Sequence, residues 1–153
     1  MVSHRHAPAL LGGSPDEVEA RFYEALQRGD LELLMSVWAD DDEIVCVHPG
    51  GARVVGPRAI RASFEAIFAN GAVPARPEGV HRLQWHGGAL HHLLERIEVP
   101  AEQAKAAGIE TAWVIATNVY VKTPQGWRLA AHHASAGLAE APPTVGDAPS
   151  TLH

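Results

Sequence analysis

The sequence predicts an α+β domain in which three N-terminal helices lie against a strongly curved antiparallel sheet. Apolar residues recur at helical spacing before residue 40 and again after residue 57, and two short β-branched runs lie between these segments. From residue 80 onward the pattern changes to a period of two, with a turn signal at Gly87-Gly88 and another at residues 124–126. Helices that precede a run of antiparallel strands favour the α+β class over the α/β class. Such a sheet, wrapped over helices, forms a cone with an interior pocket.

The 153 residues fit one domain with a single core. We expect this domain to span residues 14–135, with a flexible arm over residues 1–13 and a flexible tail over residues 136–153. The net charge of −6, with neutral histidines, opposes binding to nucleic acid or to anionic lipid. No apolar run approaches the ~18 residues of a membrane span, and a single cysteine excludes an intrachain disulfide. A soluble, cytoplasmic protein is therefore expected.

The first two helices have marked boundaries. The motif SPDE at residues 14–17 combines an N-cap serine, a proline at the first helical position and a capping-box glutamate. Apolar residues then recur every four positions, and Gly29 ends the helix. Asp30 caps a second, shorter helix that carries Trp38 on its buried side.

Two short strands and a third helix come next. Residues 44–48 (IVCVH) are mostly β-branched and stop at a Pro-Gly-Gly turn, so they predict a strand that ends at His48. Residues 53–55 form a brief return strand. Gly56-Pro57 then opens a helix whose apolar face includes Phe64.

Four long strands are predicted at residues 80–86, 89–99, 111–123 and 127–135. If the last hairpin loop holds two residues, Asn118 and Tyr120 share a face with three residues of the final strand: Leu129, Ala131 and His133. A three-residue loop would exchange the two faces. The opposite face of the third long strand is apolar, with Trp113, Ile115, Val119 and Val121. Such a face needs a partner, and we predict a homodimer because a second copy is the simplest one.

Three segments of the chain together resemble a known superfamily. They are ARFYEALQRGDLELLMSVWADDDEIVCVHPGG, VGPRAIRASFEAIF and ATNVYVKTPQGWRLAAHHAS, in that order. Over residues 14–135 the chain resembles the bacterial single-domain branch of the nuclear transport factor 2-like superfamily. The resemblance implies a cone-shaped, cystatin-like α+β barrel. Members include ketosteroid isomerases, polyketide cyclases and the association domain of calmodulin-dependent kinases, so the resemblance implies a fold rather than one activity.

Comparison with ketosteroid isomerases implies two catalytic candidates. Those enzymes carry a general-base Asp before a proline where this chain has His48-Pro49, and Asn118 stands in the place of their oxyanion-binding Asp. A neutral imidazole accepts a proton near pH 7, and an amide donates to a developing oxyanion. The place of their oxyanion Tyr is taken by Phe22, which has no hydroxyl. Tyr23 points about 100° away around the helix and is not expected to replace it.

Six further side chains are expected to line the pocket: Phe22, Trp38, Phe64, Trp85, Tyr120 and His133. Each is also a residue that can simply fill a core, and a histidine at a strand end is more often a structural hydrogen-bonding group. The histidines lack the H-x-x-x-H and H-x-H spacings of metal sites, so we expect no metal and no cofactor.

Two functions remain open from the sequence. One is an isomerase, cyclase or hydratase for a small apolar carbonyl compound, with His48 as the acid or base and with Asn118 and Tyr120 orienting the substrate. The other is a noncatalytic dimeric module for ligand binding or assembly, since residues 133–135 (HAS) resemble the His-x-Ser ending of the kinase association domain. A deep cavity where His48 and Asn118 converge favours chemistry, and a filled cone favours assembly.

Overall fold

The computed structural model describes residues 12–99 and 110–147, together with residues 102, 105, 106 and 108. Residues 1–11 of the predicted arm and residues 148–153 of the predicted tail lie outside the described residues. The helices that position the site are α1 (Pro15–Arg28), α2 (Leu31–Ser36) and α3 (Pro57–Phe68). The strands are β1 (Val45–Val47), β2 (Arg53–Val55), β3 (Ala75–Trp85), β4 (Gly88–Glu98), β5 (Thr111–Thr123) and β6 (Gly126–Ala134). This order confirms the predicted α+β class.

Local signals set the ends of the first two helices. The Ser14 hydroxyl oxygen accepts a hydrogen bond of 3.1 Å from the backbone N–H of Glu17 at the start of α1. Gly29 ends α1 with a φ of 64°, a left-handed conformation that glycine adopts without a steric penalty. Asp30 caps α2, and its side chain accepts from the backbone N–H of Leu33. The helix starts predicted at Pro15 and after Asp30 are confirmed.

The sheet is curved and open, with six strands in the order β2-β1-β6-β5-β4-β3. The four long strands pair antiparallel in sequence order. β1 pairs antiparallel with β2 and parallel with β6, which places the end of β1 beside the end of β6. Helix α1 contacts β3 and β6 on one face of this sheet. The helices and the curved sheet together form the predicted α+β cone.

Alternation along the strands separates an inner face of the sheet from an outer face. In β5 the even-numbered residues from Val114 to Tyr120 are buried, whereas the odd-numbered ones are only half-buried. Helix α1 covers the inner face, and its buried residues spread over about 160° of its circumference at 100° per residue. Phe22 and Tyr23 therefore both lie in the interior, although they are sequence neighbours.

A β-bulge in β6 decides which histidine faces inward. Near the turn Tyr120 pairs with Leu129, as the predicted two-residue loop requires. Between Tyr120 and Val119 the register shifts by one residue, so that Asn118 pairs with His132. His132 is buried on the inner face, and His133 is exposed on the outer face. The prediction that His133 shares the face of Asn118 is wrong, because the bulge adds one residue to β6.

The first part of the predicted tail is attached to the sheet. Trp113 and Leu138 exchange two backbone hydrogen bonds of 2.7 Å, which adds an isolated bridge beside β5. Residues 139–147 form neither helix nor strand. Among the described residues, no helix has the length and the apolar character needed to span a bilayer.

Candidate functional site

Seven polar side chains meet inside the cone and form what we call the inner polar cluster. Its members are Glu19 and Tyr23 from α1, His91 and Glu95 from β4, Asn118 and Tyr120 from β5, and His132 from β6. None of them is more than 6% exposed. Buried polar groups are unfavourable unless they are hydrogen-bonded, and each member bonds to another member.

Tyr23 joins a carboxyl group and an amide at the centre of the cluster. Its hydroxyl donates to Glu95 Oε2 at 2.7 Å and accepts from Asn118 Nδ2 at 3.2 Å. Burial, followed by the nearby Glu95 charge, raises the pKa of Tyr23 well above its usual value. The hydroxyl therefore keeps its proton and acts as a hydrogen-bond donor.

Glu95 changes its protonation state near neutral pH. Burial raises the pKa of its carboxyl group from 4.5 to about 7, although the hydrogen bond from Tyr23 opposes this shift. A group with such a pKa both accepts and donates protons at physiological pH. Among the groups of the cluster, Glu95 is thus the one whose pKa suits acid–base chemistry.

His132 holds the Asn118 amide in place. Its Nδ1 atom donates to Asn118 Oδ1 at 2.6 Å, and its Nε2 atom lies 3.9 Å from Glu95 Oε2. Burial, followed by the charges of His48 and His133, lowers the pKa of His132 to about 3. The ring is neutral, and its hydrogen bond directs the NH₂ group of Asn118 toward Tyr23.

Glu19 organises the other half of the inner polar cluster. Its Oε1 atom accepts from His91 Nδ1 at 2.7 Å and from the Tyr120 hydroxyl at 3.3 Å. Burial, followed by the Glu19 charge, raises the pKa of Tyr120 well above its usual value. The His91 ring also packs edge-on against the Tyr120 ring, with 4.8 Å between centroids. Tyr120, predicted as a pocket residue, is thus a buried donor to a carboxylate.

His48 lies directly after β1, half-buried and outside the inner polar cluster. Its Nε2 atom is 2.9 Å from Ser63 Oγ, and the Ser63 hydroxyl itself donates to the carbonyl of Ile60 at 2.7 Å. Nε2 of His48 is therefore the donor in this pair. Burial lowers the pKa of His48, which favours the neutral ring.

A row of aromatic rings connects His48 with the inner polar cluster. The ring centroids of His48 and Phe64 are 4.7 Å apart, those of Phe64 and Phe22 are 6.2 Å apart, and those of Phe22 and His132 are 4.9 Å apart. Within the described residues no hydrogen bond joins His48 to Asn118. The two predicted catalytic residues are thus separated by the two predicted wall residues, Phe22 and Phe64. The predicted pairing of His48 as acid or base with Asn118 is therefore wrong, because the two side chains do not converge.

The two predicted tryptophans lie in different environments. Trp38 is buried in the core after α2, and its indole Nε1 has no hydrogen-bond partner among the described residues. Trp85 is 49% exposed at the end of β3. Its ring covers Gly88, where an added Cβ would lie 2.5 Å from the indole. The prediction that Trp85 lines the interior is wrong, because the pairing of Trp85 with Gly88 places the ring on the outer face.

His133 and Ala131, expected inside the cone, instead line a groove on the outer face of the sheet. The groove has a volume of about 840 Å³ and lies across β1, β5 and β6. Its apolar lining includes Val45, Val47, Ile115 and Val119. We call this concavity the outer groove.

The residues that sequence reasoning missed are Glu19, His91, Glu95 and His132. The expectation that Tyr23 points away from the site is wrong, because the buried arc of α1 is wide enough to include it. In β4, His91 and Glu95 fall on the same alternating positions as the buried Ala89 and Leu93. Polar residues on an otherwise apolar face are a signal that could have identified both of them. Glu19 and His132 carry no comparable local signal, since a helix packing angle and a bulge decide their direction.

Comparison with protein families assigns residues 16–139 to a model described as a SnoaL-like domain. No curated protein shows significant similarity to the chain. Several solved structures are similar to the chain. One, described as a putative calcium/calmodulin-dependent protein kinase type II association domain from Thiobacillus denitrificans, is 30% identical with a TM-score of 0.73. The match covers 82% of this chain and 96% of that one.

Two further solved structures are similar. A putative dehydratase from the NTF2-like family of Streptomyces avermitilis is 33% identical with a TM-score of 0.66, over 80% of this chain and 93% of that one. A protein of unknown function with a cystatin-like fold from Nostoc punctiforme is 17% identical with a TM-score of 0.65, over 83% of this chain and 90% of that one. The latter likeness concerns the fold alone.

Proposed function

Because this chain belongs to the SnoaL-like domain family of the nuclear transport factor 2-like superfamily, we propose that the part of its inner polar cluster around Glu95, Tyr23 and Asn118 is an acid–base site for a small carbonyl compound. The observation that carries the proposal is the buried Glu95 carboxyl group with a pKa of about 7. A core that only has to pack is built as well or better from apolar residues. Buried titratable groups with strongly shifted pKa values, bonded to one another, favour a catalytic site.

Each polar group near Tyr23 has a distinct part in this proposal. Glu95 is the group that removes and returns a proton. The donors to a developing oxyanion are the Tyr23 hydroxyl and the Asn118 amide, and the substrate must displace the hydrogen bonds that they now donate to Glu95 and to Tyr23. His132 is a positioning residue, because it holds the Asn118 amide through a 2.6 Å hydrogen bond.

The proposed reaction is proton abstraction beside a carbonyl group. The Glu95 carboxylate removes a proton from the carbon next to the carbonyl, and the electron pair of that C–H bond moves onto the carbonyl oxygen. In an isomerisation the proton is returned to another carbon atom. In a dehydration it is delivered to a leaving hydroxyl group, which departs as water. The similarity to a protein described as a putative dehydratase supports the second form.

An apolar substrate suits the surroundings of the cluster. Phe22 and Phe64 are buried aromatic residues that lie between the cluster and the half-buried His48. We propose that substrate enters at His48, with displacement of the His48 or Phe64 ring, and lies against these rings. His48 is then a binding residue at the rim rather than a proton-transfer group, since its Nε2 hydrogen is already donated to Ser63.

Deuterium exchange tests this proposal. A panel of enones and β-hydroxy ketones is incubated with the protein in D₂O, and incorporation beside the carbonyl is followed by mass spectrometry. We expect catalysed exchange that rises with pH through about 7. Glu95→Gln should lower the rate by about 10²–10⁴-fold. Glu98→Gln, at the exposed end of the same strand, should leave it unchanged.

Two outcomes contradict the acid–base function. One is that the wild-type protein accelerates exchange for no member of the panel. The other is that Glu95→Gln keeps the wild-type rate.

A second function, assembly through the outer face, is favoured by a separate observation. Half-buried or exposed apolar side chains continue across β3, β4 and β5 on that face: Leu83, Trp85, Leu90, Leu94, Trp113, Ile115, Val119 and Val121. We propose that a second copy covers them, and the similarity to a protein described as a putative kinase association domain supports this. A dimer is compatible with an acid–base site, because the two use opposite faces of the sheet.

Sedimentation at micromolar concentration tests the dimer. We expect a mass of twice 16.3 kDa for the wild-type protein. Ile115→Asp should give monomers, because it places a charge in the apolar face, whereas Lys122→Glu on the same strand should remain dimeric. A monomeric wild-type protein would refute assembly and leave the acid–base proposal unaffected.

A further inference from the structure

Three potential metal ligands converge beside the first turn of α1. Asp16 and Glu19 are one helical turn apart on α1, and His91 reaches them from β4. One ligand atom of each residue lies within 4.8 Å of the other two. Glu19 and His91 are buried, whereas Asp16 is exposed to solvent. We propose that Asp16 and His91 are the protein ligands of a binding site for a divalent transition-metal ion of the Zn²⁺ class, with Glu19 holding the His91 ring, and that this site is separate from the acid–base reaction at Glu95.

The orientation of the His91 ring suits a metal ligand. Its Nδ1 atom is 2.7 Å from Glu19 Oε1, so the hydrogen on Nδ1 is donated to the carboxylate. With the Nδ1 hydrogen donated in this way, Nε2 is the nitrogen that can bind an ion. Metal-binding histidines are commonly held in this way, with a carboxylate on one nitrogen and the ion on the other. Glu19 fixes the tautomer and the direction of the ring.

The free nitrogen of His91 points to the exposed carboxylate. The His91 side chain is only 2% exposed, and Nε2 makes no hydrogen bond to any described residue. Nε2 lies 3.8 Å from Asp16 Oδ1, which is too long for a hydrogen bond. One ion can bind both Nε2 and Oδ1 across this distance, with two bonds of about 2.0–2.2 Å and a wide angle between them at the ion. Because Asp16 is exposed, water can complete the coordination.

Arg82 competes with the ion for Asp16. Its Nε atom donates to Asp16 Oδ1 at 2.9 Å, and this pair is at the surface, with half of the Arg82 side chain exposed. A cation at Asp16 must displace this guanidinium group or share the carboxylate with it. Removal of the Arg82 charge should therefore strengthen metal binding.

Metal titration of the full-length protein tests the site. Zn²⁺ binding is measured by calorimetry, and Co²⁺ binding by visible absorption. We expect one ion per chain, and a shift of the His91 ring nitrogen signals on addition of Zn²⁺. Asp16→Asn, an exposed change that leaves the core intact, should weaken binding by about 10–100-fold. Arg82→Gln should tighten it.

His91→Gln and His92→Gln form a matched pair, since His92 is the next residue of β4 but is exposed on the outer face. We expect His91→Gln to lose the site and His92→Gln to keep wild-type affinity. The proposal is overturned if wild-type protein binds no stoichiometric Zn²⁺. It is also overturned if Asp16→Asn and His91→Gln both bind like wild type, because the other histidines would then account for the binding. None of these readouts depends on exchange activity at Glu95.

Discussion

The substitution Glu95→Gln should make the protein more stable at high pH. The pKa of the Glu95 carboxyl group is raised from 4.5 to about 7 in the folded chain. The folded state therefore holds this proton to a higher pH than the unfolded state does. As pH rises from about 4.5 to about 7, the free energy of unfolding of the wild-type protein falls, and the loss is complete above that range.

The size of this effect follows from the two pKa values. Each unit of pKa difference corresponds to ~1.4 kcal/mol, so ionising Glu95 in the folded state destabilises it by about 3 kcal/mol above pH 7. Glutamine cannot ionise, and its side-chain oxygen can still accept the hydrogen bond that Tyr23 now donates to Glu95. We expect the stability difference between Glu95→Gln and wild type to shift by about 3 kcal/mol in favour of the variant between pH 4.5 and pH 8.

Urea unfolding at several pH values measures this difference. Comparing the variant with the wild type at each pH cancels the contributions of distant titrating groups. The control is Glu98→Gln, which removes a carboxylate from the same strand at an exposed position; it should not reproduce the ~3 kcal/mol shift, because solvent screens an exposed charge. A Glu95→Gln difference that stays constant from pH 4.5 to pH 8 would refute the buried, protonated carboxyl group and with it the assignment of Glu95 as the acid–base residue.

Three further outcomes are expected. His132→Ala should lower the free energy of unfolding by about 3 kcal/mol in chemical denaturation, because it leaves a cavity and deprives Asn118 Oδ1 of its donor. His133→Ala, at an exposed position, should change it by no more than ~0.5 kcal/mol. Equal effects of the two substitutions would contradict the bulged register. His48→Ala should reduce ketone binding in a thermal-shift assay. It should lower the free energy of unfolding by less than ~1.5 kcal/mol, since the ring is half-buried. Unchanged ketone binding would place substrate entry elsewhere. The protein should stay folded in the presence of a chelator, because the described core packs around apolar residues, and loss of an ion bound at Asp16 and His91 should lower the unfolding midpoint without unfolding the chain; complete unfolding on chelator treatment would show a structural metal.

Local chemistry along the chain was enough to predict the elements. A serine that caps its own helix, a glycine with positive φ and an aspartate that caps the next helix each act within a few residues, as at Ser14, Gly29 and Asp30. Alternation within one strand correctly placed Asn118 and Tyr120 on the same face, with the apolar Ile115 and Val119 on the other. These signals are readable because they depend on backbone geometry that repeats every two or every 3.6 residues.

The contents of the site depend on contacts that no local pattern contains. The bulge in β6 exchanges His133 for His132, because one extra residue reverses the direction of every later side chain. The angle at which α1 crosses the sheet brings the Tyr23 hydroxyl to Glu95, 72 positions away in the chain. The pKa of Glu95 is a property of the same packing, since burial raises it. The sequence alone determined the helices, the order of the strands and the two faces of β5. Only the tertiary structure decided which polar groups meet inside the cone, because hydrogen bonding and desolvation depend on neighbours from other elements.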